Sequence, residues 1–100
     1  MTFDYLKYDA VKTKENLKKL YTESGYTAYG LHTIINATMD DGDSISPQAV
    51  YQWMNPACSK LPSLENLVKL AGIFHTTIDK IVAVQPAVTR DIEIKTKKKE

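Results

Sequence analysis

The chain has 100 residues, 43% of them hydrophobic and 25% charged, with 4 Gly, 4 Pro and a formal net charge of +1. This describes one small globular domain and excludes a multidomain enzyme, a collagen-like chain and a wholly disordered one. A single core is feasible at this size without covalent staples, and the lone Cys58 could close no internal disulfide and by itself supply no tetrahedral zinc site.

Residues 1–10 (MTFDYLKYDA) mix aromatics with charges without a clear period and read as an N-terminal arm. From Val11 the pattern turns helical. Leu17, Leu20 and Tyr21 are spaced i, i+3, i+4, and Gly25 stands where a left-handed cap would stop a first helix over 11–24. Thr27 is a suitable N-cap for a second helix over 28–37 through Leu31, Ile34 and Ile35. The acidic stretch Met39 to Ser44 then reads as a loop.

Ser46 followed by Pro47 marks the start of a third helix over 47–54, since proline fits the first helical position, where its missing donor costs nothing. Asn55-Pro56 ends it, and a loop carries the chain to Ser63. From that cap a fourth helix presents a wide apolar face of Leu64, Leu67, Val68, Ala71 and Phe74, with His75 at its end. Gly72 inside it implies either a closely packed neighbour or simple tolerance. A short fifth helix restarts at Thr76 or Thr77 with Ile78, Ile81 and Val82 on its face. The helical domain thus covers 11–84. Residues 85–100 form an extended segment, with a short strand over Val88 to Ile94, and then a disordered basic tail.

No run approaches the ~20 apolar residues a membrane span needs, and the start MTFDYLKYD lacks a signal-peptide core. With the single thiol, the expectation is a soluble cytoplasmic protein. Charge is unevenly placed: from Leu20 to Ser59 there is no Lys or Arg, while Glu23, Asp40, Asp41 and Asp43 are acidic. The Asp40, Asp41, Asp43 cluster lacks the residue order of a calcium loop, and His32 and His75 lack metal-ligand spacing, so no metal and no cofactor are expected. Trp53 is read as a core anchor and Cys58 as a bystander. No nucleophile elbow, phosphate-binding glycine loop or carboxylate pair appears, so no enzyme activity and no small-molecule substrate are expected.

Three blocks, NLKKLYTESGYT at 16–27, SPQAVYQW at 46–53 and LPSLENLVKLAGIFHTTIDKIV at 61–82, resemble in order the first helix, recognition helix and closing helices of the lambda-repressor-like (Cro, XRE-type) helix-turn-helix family. The resemblance covers about Thr13 to Val82. It implies an all-α, five-helix DNA-binding domain with a lengthened turn between helices 2 and 3, since 38–45 is about twice the usual turn of roughly 3 or 4 residues. It further implies a sequence-specific transcriptional regulator of the repressor kind that binds double-stranded DNA, as a homodimer, through the helix at 47–54.

Carried over residue by residue, base recognition falls to Ser46, Gln48, Ala49, Tyr51 and Gln52. Phosphate contact falls to Thr27 and Ala28 at the start of the second helix and to Asn55, Ser59 and Lys60 after the recognition helix. Val50 and Trp53 would face the core, leaving Gln48, Tyr51 and Gln52 outward; glutamine can pair bidentately with adenine, and the Ala49 methyl can meet thymine. The basic tail either adds phosphate contacts or solubilises the chain. Ile78, Ile81 and Val82, or Val88 to Ile94, are the candidate dimer faces. The alternative is a helix-turn-helix fold that serves as a protein–protein interaction module without specific DNA binding, which the missing Arg and Lys of the motif would suit.

Overall fold

The computed structural model of the chain describes residues 1–39 and 44–93. In order these form β1 (Thr2–Asp9), α1 (Ala10–Ser24), α2 (Ala28–Ala37), α3 (Pro47–Met54), α4 (Leu64–Ile73), α5 (Ile78–Ile81) and β2 (Ala83–Asp91). The acidic cluster of Asp40, Asp41 and Asp43 and the basic tail from Lys95 onward lie outside the described residues.

Local chemistry accounts for where the helices begin. Asp9 Oδ1 accepts from the Lys12 amide at 2.9 Å, Thr27 Oγ1 from Gly30 at 2.9 Å, Ser46 Oγ from Ala49 at 3.1 Å and Ser63 Oγ from Asn66 at 3.2 Å. Each bond gives a side-chain acceptor to an amide of the first helical turn, where the i−4 carbonyl of the helix is missing. Two ends are equally specific. Gly25 closes α1 at φ 79°, a conformation glycine adopts without a Cβ penalty. α4 closes on His75 at φ 56°, with Thr76 N donating to Ala71 O at 2.8 Å and His75 N to Gly72 O at 3.2 Å. That is the bond pair of a Schellman motif, with histidine where glycine is usual.

The five expected helices are present, but the all-α expectation is overturned: β1 and β2 pair as a two-stranded antiparallel sheet. Thr2–Asp9, within the segment read as an N-terminal arm (1–10), and Ala83–Asp91, which enters the segment read as an extended tail (85–100), hold backbone donors and acceptors that no helix claims, and these two strands satisfy each other. β2 starts at Ala83, directly after α5, so the strand expected over Val88 to Ile94 begins earlier. The register runs from Thr2 opposite Asp91 to Asp9 opposite Ala83, with a shift between Tyr5 and Lys7. Tyr5 faces Val88 and Lys7 faces Gln85, so Leu6 stands across from both Pro86 and Ala87. A bulge of this kind accommodates a proline that has no amide to give to the ladder.

The helices bury one core. Leu17, Leu31, Ile35, Val50, Leu70 and Ile81 are fully enclosed, and Trp53 and Met54 nearly so, as expected for Trp53 as an anchor. The apolar face of α4 is narrower than its sequence implies: Leu67, Leu70 and Ala71 are buried, whereas Leu64 and Val68 are exposed. Gly72 has no neighbour within 4 Å of where a Cβ would stand, so it is tolerated rather than required by packing. Thr13 roots the ribbon in this body. Its buried hydroxyl donates to Asp9 O at 2.8 Å, at the end of β1, and accepts from Ala83 N at 2.9 Å, at the start of β2. Asn16 Nδ2 adds a bond to Ile81 O at 3.0 Å.

Candidate nucleic-acid interface

α3 is held from behind and at both ends. Val50, Trp53 and Met54 face the core, so the opposite surface of the helix is what the protein offers to solvent. At its N-terminal side Asn36 of α2 grips the backbone of Ile45: Asn36 Nδ2 donates to Ile45 O at 2.9 Å and Asn36 Oδ1 accepts from Ile45 N at 2.8 Å. Met39 and Ile45 both pack against the core. The long connection is therefore pinched at its neck, and its length does not loosen the placement of α3 on α2. The sequence reading did not single out Asn36, because a side chain that mimics a backbone pair across nine residues leaves no periodic signal.

At the C-terminal end the buried ammonium of Lys14 donates to Gln52 O at 2.8 Å and also to Lys60 O. A cation suits the free carbonyls of a helix C-terminus. Burial pulls the Lys14 ammonium below the ordinary lysine value, partly countered by its Coulombic interaction with Cys58. Lys14 thus ties α1, the end of α3 and the loop after it into one unit.

Gln48, Tyr51, Gln52 and Asn55 line one open cavity of about 330 Å³ together with Lys18, Tyr21 and Met54. Tyr51 is 59% exposed and Gln48 is exposed, while Gln52 is half-buried. Lys18 and Tyr21 come from α1; the Lys18 Nζ stands 5.9 Å from the Tyr21 ring centroid, within the range of a cation–π contact. They bring a positive charge and an aromatic ring to a surface whose own helix carries no basic residue. Nothing in the sequence assigned Lys18 or Tyr21 to this surface.

The remaining predicted residues are placed less uniformly. Ser46 is exposed and serves as the α3 cap. Ala49 is half-buried against the core, so its methyl is less available than expected. Thr27 is exposed and caps α2, whereas Ala28 is buried and can offer only its amide. Asn55 Oδ1 is engaged by the Ala57 amide at 3.0 Å. Ser59 and Lys60 are exposed, but Ser59 lines a separate cavity of about 220 Å³ with Val11, Lys14 and Cys58. The structure therefore joins Gln48, Tyr51, Gln52 and Asn55 in one concavity and leaves Ser59 outside it.

The His32 ring lies tilted against Tyr29, with centroids 4.8 Å apart and Nδ1 2.9 Å from the Tyr29 carbonyl, and His75 serves as the α4 stop. Among the described residues no group of three His, Cys, Asp or Glu is arranged to hold a metal ion, and no helix is long and apolar enough to cross a membrane. Compared with known proteins, the chain matches no family model, no curated protein and no solved structure.

Proposed function

We propose that this chain is a sequence-specific DNA-binding regulator of transcription, of the repressor kind, which places α3 in the major groove of double-stranded DNA and acts as a homodimer in the cytoplasm. One observation carries the reading: Gln48, Tyr51 and Gln52 lie together around one open concavity on a helix that is clamped by Asn36, Lys14 and the core. Base recognition needs side chains held at a fixed depth and angle, and glutamine reads adenine through two hydrogen bonds. The free amides at the start of α2, capped by Thr27, suit a phosphate oxygen. Lys18, from α1, supplies a charge that α3 lacks. The resemblance to lambda-repressor-like regulators, carried by the blocks at 16–27, 46–53 and 61–82, points the same way.

In this reading the protein is a binding domain, with no catalysis and no cofactor. A second reading is favoured by the absence of Lys and Arg between Leu20 and Ser59: a helix-turn-helix scaffold that docks another protein. Selection of the full chain on a randomised duplex pool, followed by binding to enriched sequences over a salt series, separates the two. The DNA reading predicts an enriched site with two-fold symmetry and affinity that falls steeply as salt rises. An unenriched pool, bound only through residues 94–100, would establish the protein-docking reading instead.

A further inference from the structure

The ribbon of β1 and β2 is unusual in what it leaves in water. A lone two-stranded ribbon is marginal in stability unless a helix or further strands cover one face. Here the side-chain bonds that tie the ribbon to α1 gather at its root, where Thr13 holds Asp9 O and Ala83 N and the Asp9 carboxylate accepts from the Lys12 amide. The described chain is correspondingly extended, with a radius of gyration of 17.7 Å against about 13 Å for a compact domain of this length.

Side chains alternate across a strand, so Thr2, Asp4, Leu6 and Tyr8 share one face, as the bond from Thr89 Oγ1 to Asp4 Oδ1 at 2.6 Å between opposed residues confirms. On that face Leu6 is 67% exposed, Tyr8 47% and Val84, directly opposite Tyr8, 52%. Three neighbouring apolar side chains in solvent on so small a sheet form a patch that calls for cover.

The backbone is equally unpaired. Ile92 N donates to Met1 O at 2.8 Å and the Met1 amino group to Ile92 O at 3.3 Å, which makes Met1 and Ile92 a mutually bonded pair. Such pairs alternate along an antiparallel ladder, so Phe3 and Tyr5 bond inward to β2 while Thr2, Asp4 and Leu6 turn their N–H and C=O groups to the outer edge of β1. Among the described residues no strand lies on that edge. The outer edge of β2 is interrupted by Pro86 and its bulge, so β1 offers the continuous one.

We propose that the outer edge of β1 is a self-association surface that pairs antiparallel with β1 of a second copy about a two-fold axis at Leu6, joining the two ribbons into one four-stranded sheet. The charge pattern and the length of β1 together favour this occupant and this register: an axis at Tyr8 would pair Lys7 with Asp9 but would leave only residues 7–9 of the strand to pair. A two-fold through an antiparallel edge pairs residues of equal parity, and with Leu6 at the axis Leu6 meets Leu6, Asp4 meets the Tyr8 hydroxyl, and Lys7 lies across from the Tyr5 ring. No like charges oppose one another, which removes the destabilising kind of cross-strand pair. Shifting the axis to Lys7 sets Lys7 against Lys7, and shifting it to Tyr5 sets Asp4 against Leu6. The inference stands whether or not α3 reads DNA, because it uses no residue of that surface. It also replaces the earlier candidates for a dimer face: Ile81 is buried, and Val88 faces Tyr5 across the ribbon rather than lying on the free edge.

Sedimentation of the full chain over a concentration series is the test. The expected result is a species of twice the 11.3 kDa chain mass for the parent and of single mass for Leu6→Lys, with the helical circular dichroism unchanged. A Leu6→Cys, Cys58→Ser variant treated with oxidised glutathione should form a covalent dimer, because opposed bonded residues lie at about 5.5 Å between Cα atoms, within disulfide reach. A chain shortened after Glu93 should still dimerise. A monomeric parent, a Leu6→Lys chain that remains dimeric, a cysteine variant that stays monomeric under oxidant, or loss of the dimer on shortening would each overturn the proposal, the last by showing that residues 94–100 form the contact.

Discussion

The helical body and the ribbon are built from similar shares of apolar side chains yet treat them in opposite ways. In the body Leu17, Leu31 and Leu70 reach zero exposure because each helix repeats its apolar residues at three and four positions and turns them to a common centre. In the ribbon Leu6, Tyr8 and Val84 keep about half or more of their surface in water, because two strands have no layer behind them. Burial thus follows from having a second layer to pack on, and hydrophobicity alone does not deliver it. The body closes over its own apolar side chains, and the ribbon leaves Leu6, Tyr8 and Val84 uncovered.

The contrast can be broken most sharply by one leucine from each region. Leu70→Ala, which empties an enclosed site, is expected to cost about 2–5 kcal/mol of folding stability. Leu6→Ser should change the stability of the isolated chain by no more than about 0.5 kcal/mol. Denaturant unfolding of both variants, at a concentration too low for association, makes the comparison; equal losses would mean that the ribbon is part of the core.

A smaller effect is expected where the regions meet. Thr13→Val keeps the shape of the side chain but removes the hydroxyl that bonds both Asp9 O and Ala83 N. The expected cost is about 1–3 kcal/mol, with the Ala83 amide losing protection in hydrogen exchange while the amide of Leu70 in the core keeps its own. Uniform loss across both would show that body and ribbon open together.

The smallest change should be favourable. Gly72→Ala meets no neighbour within 4 Å, so the better helix propensity of alanine should raise stability by up to about 1 kcal/mol, measured as a higher denaturant midpoint at unchanged slope. A loss would mean that a neighbour packs there.

How much of this was legible in the sequence follows the same division. The helices were readable because their signals are local. Thr27, Ser46-Pro47 and Ser63 announce starts, and Gly25 announces a stop. The apolar periodicity between them needs no knowledge of distant residues. The ribbon was not, because its partners lie at opposite ends of the sequence, Thr2 with Asp91 and Asp9 with Ala83. Within β1 the adjacent Tyr5 and Leu6 also obscure the alternation that marks a strand. At the candidate interface Gln48, Tyr51 and Gln52 could be named from the phase of α3. Lys18 and Tyr21 could not, since their arrival depends on how α1 crosses α3, nor could Asn36 and Lys14, whose bonds go to backbone carbonyls and amides of remote segments.

The central claim is that the outward surface of α3 reads bases, and Gln48 tests it most directly because it is exposed on the N-terminal turn of α3 and lines the open cavity. Binding of parent and Gln48→Ala chains should be measured against a duplex enriched by the parent and against a scrambled duplex at the same salt. The expected result is a loss of about 1–3 kcal/mol on the enriched site, an unchanged affinity for the scrambled one and an unchanged unfolding midpoint. Equal binding of the two chains to the enriched site would contradict the placement of Gln48 against a base.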